Sequence, residues 1–375
     1  MNKKEIGLYI HIPFCKHKCS YCDFISFANK EEAVEQYVQK LKEEIEMEKL
    51  EQYKITTIYI GGGTPSFISS KYIVEILNLI DKTFAEEITI ELNPGTVDKE
   101  KLEAYKNAGV NRLSIGLQST DNKMLKQISR IHSYEEFLET YNLAKEVGFE
   151  NINVDLMIGL PTQTLQNVQE SLNIIIEKNP EHISVYSLIL EENTKLKDLV
   201  DEQKLVLPDE NLERDMYWLV KNYLKKNGYN QYEISNFSKA GYYSRHNTDC
   251  WKQKEYIGFG VAAHSYFNMK RYSNICDVEK YIRNLENKEI EKNVEIHEVQ
   301  NIESKMNEYM ILGLRMIDGV NVKKFKEIFH QDVLEKYKKQ LEKLQKEKLI
   351  YFDNEKIYLT NKGIDFANIV WEEFI

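Results

Sequence analysis

The sequence has 375 residues, of which 42% are hydrophobic and 29% are charged, and its formal net charge is −10. This composition is that of an ordinary globular protein, long enough for one large domain and a smaller one. An acidic chain is poorly suited to broad nucleic-acid binding, which requires cations to displace counterions from phosphates. The sequence has no run of eighteen apolar residues, and its N-terminus lacks the apolar core of a signal peptide. We therefore expect a cytoplasmic protein without a transmembrane helix.

Between residue 5 and about residue 190, short β-rich runs alternate with amphipathic stretches. The predicted strands are Ile6–Ile12, Thr57–Gly61, Ile88–Leu92, Arg112–Leu117, Asn151–Met157 and His182–Leu188. The predicted helices between them are Glu32–Leu50, Lys71–Lys82, Lys99–Ala108, Ser133–Glu146 and Leu165–Ile176. This order is typical of an α/β fold with a parallel sheet and right-handed crossovers. Six such units predict an open, partial (β/α)6 barrel, with the carboxyl ends of its strands on one rim, where barrel enzymes carry their chemistry.

The remainder of the chain divides into two further parts. We assign residues 1–190 to the barrel core, 191–300 to a barrel extension that faces the ligand, and 301–375 to a small C-terminal domain. In the extension, the sequence predicts a helix over Asp209–Lys226 and a strand over Gln231–Ser235.

The C-terminal part predicts a winged-helix-like module. One apolar helical stripe is followed by a hairpin over Leu349–Phe352 and Lys356–Thr360; the stripe consists of Val333, Tyr337, Leu341 and Leu344. Residues 321–350 carry nine Lys against five Asp and Glu. A solvated, lysine-rich helix face explains this excess better than DNA binding does.

The clearest chemical signal is a cluster of cysteines directly after the first strand. Cys15, Cys19 and Cys22 follow the pattern C-x3-C-x2-C, and they are three of five cysteines in the chain. An odd number of cysteines, three of them clustered, is unsuited to a set of disulfides. It indicates a metal site in a reducing compartment. Short spacings let three thiolates reach different irons of one cubane cluster, and three ligands instead of the usual four leave one iron open. Zinc with His17 or His11 as a fourth ligand, and three plain thiols, are the alternatives.

With Tyr21 before the third cysteine, this loop resembles the fingerprint of the radical S-adenosylmethionine (SAM) superfamily. The longer pattern Tyr9-x-His11-x-Pro-Phe-Cys15 resembles the oxygen-independent coproporphyrinogen oxidase family and its close relative, the heme chaperone branch HemW. The resemblance extends over nearly the whole chain. It implies the partial barrel, a [4Fe–4S] cluster held by the three cysteines, and SAM bound to the open iron.

Further residues fall on or near predicted strand ends. Gly61-Gly62-Gly63-Thr64-Pro follows the second strand, and its glycines allow the backbone to approach a ligand closely. The resemblance implies that SAM is contacted by Tyr9, Tyr21, Gly62, Gly63, Thr64, Glu91, Gln118, Arg130 and Asp155. It also implies reductive cleavage of SAM to methionine and a 5′-deoxyadenosyl radical. The number of SAM molecules, one or two, stays open, as does whether SAM is cleaved or only bound.

Two positions bear on the choice between oxidase and chaperone. By this resemblance, the oxidase branch has the pattern C-x3-C-x2-C-x-C, whereas this chain has Phe24 in place of the last cysteine. The chaperone branch has the pattern His-Asn-x-x-Tyr-Trp. This chain has the similar segment His246-Asn-x-x-Cys250-Trp251, in which Cys250 replaces the tyrosine. His246 is a candidate axial ligand of heme iron, and Trp251 can stack on a porphyrin face. The alternative is a polar loop with an ordinary buried tryptophan.

We therefore expect a SAM-dependent heme chaperone that passes heme to hemoproteins. Oxidative decarboxylation of coproporphyrinogen III is the alternative, although Phe24 speaks against it. A winged-helix regulator with an iron–sulfur sensor is the third, disfavoured hypothesis. The resemblance also implies a homodimer and recipients at the membrane.

Overall fold

The computed structural model describes residues 3–375, and a twelve-stranded sheet is its central feature. The strands of the first half are β1 (Lys4–Ile12), β2 (Phe14–Cys15), β3 (Phe27–Ala28), β4 (Tyr53–Gly62), β5 (Glu87–Leu92), β6 (Arg112–Gln118), β7 (Ile152–Ile158) and β8 (His182–Ser187). Those of the extension are β9 (Asn230–Gln231), β10 (Asn236–Ser238), β11 (Tyr256–Phe259), β12 (His264–Phe267), β13 (Lys270–Asn274) and β14 (Val294–Val299).

The sheet has the order β14-β13-β12-β11-β1-β4-β5-β6-β7-β8-β10-β9. The six predicted barrel strands are present and run parallel to one another. The fold class is therefore confirmed. The sheet is larger than the six units predicted, because β11 pairs in parallel with the other edge of β1 and carries the antiparallel strands β12 to β14.

Helices cover the sheet and connect its parallel strands. They are α1 (Val34–Met47), α2 (Ser70–Asn78), α3 (Lys99–Asn107), α4 (Asn122–Gln127), α5 (Tyr134–Val147), α6 (Leu165–Lys178), α7 (Lys195–Asp201), α8 (Glu210–Lys226), α9 (Arg245–Trp251) and α10 (Val278–Glu286). Their boundaries follow local chemistry. For example, Ser133 and Glu136 form a capping box at the start of α5, and Gly148 ends it in a left-handed conformation.

The predicted strand over Gln231–Ser235 is wrong. The chain there forms a hairpin, in which β9 and β10 pair antiparallel and residues 232–235 make the turn. Glu233 stabilises this turn, since its Oε1 accepts hydrogen bonds from the backbone N–H of Ser235 and from the Asn236 amide. A local side-chain acceptor thus overrides the β propensity of the segment.

The C-terminal part has its own apolar core. Its elements are α11 (Ile302–Arg315), β15 (Val320–Asn321), α12 (Val322–Phe329), α13 (Val333–Lys336), α14 (Lys338–Lys346), β16 (Ile350–Phe352), β17 (Lys356–Leu359), α15 (Asn361–Asp365) and α16 (Ala367–Glu372). The four stripe residues are all buried there, although the helix breaks at Tyr337. The predicted hairpin is present and extends to a three-stranded sheet, β15-β17-β16, which fits a winged-helix-like module.

The larger core includes residues of both the barrel and the segment from 191 to 300, whereas the second core begins at Met306. None of the helices in residues 3–375 is both long enough and apolar enough to cross a membrane.

Candidate cofactor cleft

A cavity of about 410 Å³ opens between the cysteine loop and the carboxyl ends of the parallel strands. Eleven of the fourteen predicted site residues line it, namely Cys15, Cys19, Tyr21, Cys22, Gly62, Gly63, Thr64, Glu91, Gln118, Arg130 and Asp155. They come from the loop, from four successive strands or the turns that follow them and, for Arg130, from the segment between α4 and α5. The parallel topology brings them together because it places all these strand ends on one rim. Tyr9, His246 and Trp251 lie outside the cavity lining.

The cysteine loop is held against the barrel by backbone hydrogen bonds. Short strands β2 and β3 pair in parallel, and Phe27 N donates to Pro13 O across 2.7 Å. The Cys15 sulfur also accepts a hydrogen bond at 3.3 Å from Thr64 Oγ1, which lies on the turn after β4. Burial raises the pKa of Cys15 and raises that of Cys22 to about 11, and the neighbouring Cys19 adds to both shifts. The thiols of Cys15 and Cys22 are thus protonated at neutral pH in the metal-free chain, and a metal that binds them displaces protons.

The glycine turn is closely packed against this loop. Gly62 has a φ of +114°, and a Cβ there would lie 2.7 Å from Cε1 of His11. A Cβ on Gly63 would lie 3.0 Å from the Cys15 sulfur. A side chain would be strained at Gly62 and would crowd the cysteine loop at Gly63, so glycine leaves the backbone unobstructed at the wall of the cleft.

Two carboxylates line the floor of the cleft. Glu91 accepts from Tyr59 Oη at 2.8 Å and from the backbone N–H of Gly62 at 3.2 Å. Burial raises the pKa of Glu91 to about 7, and the charge of Asp155 contributes to the shift. Burial likewise raises the pKa of Asp155, which accepts hydrogen bonds from Asn153 and Ser114. Glu91 therefore changes its charge near neutral pH and can accept from an ammonium or a hydroxyl group of a ligand.

Arg130 is the cation of the cleft. Its Nη2 donates to Asn93 Oδ1 at 2.6 Å and to the Gly116 carbonyl, and its Nη1 lies 3.7 Å from the Cys19 sulfur. Its Nε is buried without a hydrogen-bond partner in the part of the chain that the structure describes. A buried donor without an acceptor is costly, and an anionic ligand in the cleft would supply the acceptor.

Sequence reasoning missed several residues that line the cavity. Tyr59, Asn93 and Tyr186 lie at or near the carboxyl ends of barrel strands, and Ser114 lies near the amino end of β6, on the face of that strand that lines the cavity. That position was the signal available to find them, since inward-facing residues alternate along each strand. Tyr9 is close to the lining without belonging to it, because its ring stacks on that of Tyr59 at 6.3 Å and its Oη is hydrogen-bonded to His11 Nδ1.

The predicted heme motif lies elsewhere. It forms helix α9, not a loop, and His246 is only 6% exposed. Trp251 packs at the junction with the C-terminal domain, with the Arg315 guanidinium 4.5 Å from the centre of its ring. Burial raises the pKa of Cys250 to about 12, so this thiol is neutral. In this arrangement α9 is packed against the barrel, so neither His246 nor Trp251 lines the cleft, and their role in heme binding stays a prediction.

The residues of the cleft fit a [4Fe–4S] cluster with SAM. Three thiols lie in one loop, and beside them are bare glycine backbone, two carboxylates and a guanidinium with an unused donor. Such a mixed set suits a zwitterionic ligand with a sugar better than a simple apolar one. No three His, Cys, Asp or Glu side chains in residues 3–375 are arranged to hold a single metal ion.

Comparison with known proteins agrees with this architecture. Residues 9–175 match the family model of the Radical SAM superfamily, and residues 303–366 match that of the HemN C-terminal domain. A protein from Lactococcus lactis named heme chaperone HemW is 38% identical over 379 residues, covering 100% of this chain and 98% of that protein. The protein of the same name from Bacillus subtilis is 37% identical and covers 98% of each chain. The chain belongs to the HemW family of radical SAM proteins.

The HemW family assignment confirms the predicted resemblance over the full length of the chain. The solved structure of coproporphyrinogen III oxidase (HemN) from Escherichia coli has the same fold, with a TM-score of 0.84 and 21% identity, covering 100% of this chain and 90% of the other. Radical SAM proteins bind a [4Fe–4S] cluster and SAM, so membership in the HemW family accounts for the three thiols that the fold brings to one cleft.

Proposed function

We propose that the chain is a heme chaperone, which binds heme and transfers it to hemoproteins, and that it carries a [4Fe–4S] cluster on Cys15, Cys19 and Cys22. The observation that supports the cofactor part is the single cavity of about 410 Å³ that these three cysteines share with eight further predicted residues. The name heme chaperone, printed for relatives that match the chain almost end to end, supports the heme part.

Each group of cleft residues has a task in this proposal. The cluster together with SAM supplies one-electron cleavage chemistry, and the protein supplies position and exclusion of water. Gly62, Gly63 and Thr64 present backbone to the methionyl end of SAM. Glu91 accepts from its ammonium or ribose hydroxyl groups, and the unused Nε–H of Arg130 donates to its carboxylate.

Heme binding is assigned to the motif of α9, with His246 as iron ligand and Trp251 as stacking partner. Because His246 is buried in the present arrangement, heme binding through it requires α9 to move. We further infer that the chain acts in the cytoplasm, that it forms a homodimer, and that membrane cytochromes are among the recipients of its heme.

The test is anaerobic reconstitution of the full chain followed by measurement of iron, sulfide and bound heme. We expect about four irons and four sulfides per chain. Cys19→Ser should lose most of this iron. The matched control is Cys276→Ser, since Cys276 is exposed and lies outside the loop. Zinc or no metal at the loop would contradict the proposed cluster.

Oxidation of coproporphyrinogen III is the competing function within the same fold. It is tested by supplying the reconstituted protein with SAM, a reductant and coproporphyrinogen III under anaerobic conditions. We expect no vinyl product. Substantial vinyl product would replace the chaperone proposal with the oxidase.

A further inference from the structure

His246 lies inside the barrel, directly beneath the floor of the cofactor cleft. Its ring is 5.3 Å from that of Tyr59 at an interplanar angle of 31°, and Tyr59 lines the cleft. Its Nδ1 is hydrogen-bonded to Thr57 Oγ1 at 2.9 Å. Thr57 precedes Tyr59 by two residues on β4, so both side chains face inward, and Thr57 is one layer nearer the amino ends of the strands. His246 therefore fills the layer of the barrel below the cleft.

This layer has little spare room. Gly7 on β1 faces His246, and a Cβ there would lie 2.9 Å from Thr57 Oγ1 and 3.4 Å from the His246 ring. The Tyr256 ring lies 6.2 Å from His246 on another side. Burial lowers the pKa of His246 to about 4, so the ring is neutral and packs as a flat, weakly polar group. A porphyrin has no space beside this imidazole while α9 stays in place.

The helix that carries His246 is fixed at its first turn. The two carboxylate oxygens of Glu87 accept from the backbone N–H groups of Arg245 and His246, at 2.9 and 3.0 Å. Ser244 caps the helix, and its own N–H donates to Tyr232 Oη. These bonds hold α9 as a plug at the amino ends of the strands. Movement of His246 out of the barrel would break them together.

On its other side, Tyr59 contacts residues that line the cofactor cleft. Tyr59 Oη donates to Glu91 Oε1 at 2.8 Å, and Glu91 Oε2 accepts from Gly62 N–H. The ring of Tyr59 also stacks on Tyr9. His246, Tyr59, Glu91 and Gly62 thus form one continuous set of contacts from the plug to the wall of the cleft.

We propose that His246 is a positioning residue of the SAM cleft, and that binding of heme iron by His246 and binding of SAM oppose each other. Heme iron needs an imidazole nitrogen with free space around it. Heme binding therefore requires His246 to leave its packed position against Tyr59. SAM binds in the cleft that Tyr59 and Glu91 line. Its binding therefore favours the packed position of α9, in which His246 holds Tyr59 in place. Opposition between two ligands is reciprocal, because each shifts the same two-state element. The opposition between heme binding and SAM binding rests on the proposed function. The positioning role of His246 rests only on its packing against Tyr59.

The positioning role is tested by SAM binding to reconstituted protein whose cluster is kept oxidised, so that SAM is bound without cleavage. His246→Ala removes the ring below Tyr59 and should weaken SAM binding about five- to tenfold. His246→Phe keeps a flat ring there and should bind SAM within about twofold of the parent, although it has no iron ligand. Iron content and thermal unfolding establish that both variants are folded. Equal SAM affinity of the Ala variant and the parent would overturn the positioning role, as would equal weakening by Ala and Phe.

The coupling is tested on the unaltered protein. Saturating hemin should weaken SAM binding, and SAM should weaken hemin binding by the same factor, about five- to tenfold. Iron-free protoporphyrin IX, which has no metal for His246, should leave SAM affinity unchanged. A protein that binds no hemin contradicts the proposed function, whereas one that binds hemin with unchanged SAM affinity contradicts the coupling alone.

Discussion

The guanidinium of Arg130 lies 3.7 Å from the sulfur of Cys19, although 111 residues separate the two in the sequence. The same side chain is bonded to Asn93 Oδ1 and to the Gly116 carbonyl, and both of these lie near the ends of barrel strands. One cation thus joins the cysteine loop to the rim of the barrel. Its position favours negative charge on a ligand that lies beside the loop.

Arg130→Lys should therefore weaken SAM binding by about tenfold or more, since a single ammonium cannot replace several charge-assisted hydrogen bonds. The measurement is SAM affinity and iron content of reconstituted protein. Arg214→Lys is the matched control, because Arg214 pairs with Asp365 at the protein surface. Unchanged SAM affinity in the Arg130 variant would remove this residue from the proposed site.

Gly62 offers a second test of the cleft. Gly62→Ala should lower both the free energy of unfolding and the iron content, because its φ is +114° and its methyl group would strike the His11 ring. Gly241→Ala is the matched control, since Gly241 has a φ of +89° but no atom within 4 Å of an added Cβ. The backbone strain of about 1–2 kcal/mol is common to both variants. Full iron content in the Gly62 variant, beside a control that is equally destabilised, would show that the turn does not shape the cluster site.

The barrel and most of its cleft could be predicted from the sequence. The hydrophobic periodicity determines the strands and helices, and residues at the ends of parallel strands meet at one rim. Strand β5 was expected at residues 88–92 and occupies Glu87–Leu92, so its strand-end carboxylate Glu91 reaches the rim. The turn at Glu233 was missed because its cause is a side-chain hydrogen bond that local propensity does not include.

The place of His246 could not be predicted, since it depends on pairing between distant segments. Strand β11, which directly follows α9, pairs with β1, and this brings residue 246 against residue 57. A motif identified by resemblance gave the residue types but not their depth in the fold.

The raised pKa of Glu91 predicts a specific pH dependence. Its ordinary value is 4.5, and in the folded chain it is about 7. The native state therefore holds a proton that the unfolded state releases, and the stabilisation is complete below pH 4.5 and lost as the pH rises through 7. Between pH 5 and 7.5, the metal-free protein should lose stability, by roughly 2 kcal/mol from this group.

Glu91→Gln is the matched variant, because its amide is neutral at every pH and can donate to Tyr59 Oη while accepting from Gly62 N–H. Urea unfolding of both proteins across this pH range gives the comparison. The difference between them should shift steadily in favour of the Gln variant as the pH rises. A constant difference would mean that Glu91 titrates at its ordinary pKa.

The junction with the C-terminal domain gives the last prediction. Arg315 packs between the rings of Trp251 and Trp371, with 4.5 and 5.8 Å to the ring centres, and its Nε lies 3.3 Å from Glu233 Oε2. Glu233 is fully buried, so removal of Arg315 leaves its carboxylate without a cation and with hydrogen bonds only to Oε1. Arg315→Ala should therefore reduce the free energy of unfolding by about 3–5 kcal/mol.

The double variant Glu233→Gln with Arg315→Met should recover much of this loss, because it removes the buried charge and keeps the packing against the two tryptophans. Lys323→Ala is the surface control, since its pair with Glu327 is exposed and should contribute less than about 1 kcal/mol. Urea unfolding followed by tryptophan fluorescence measures all three, and Trp251 reports on the junction directly. If Arg315→Ala costs no more than the surface control, the C-terminal domain is held by its apolar contacts alone, and Trp251 would be free to leave the junction together with α9.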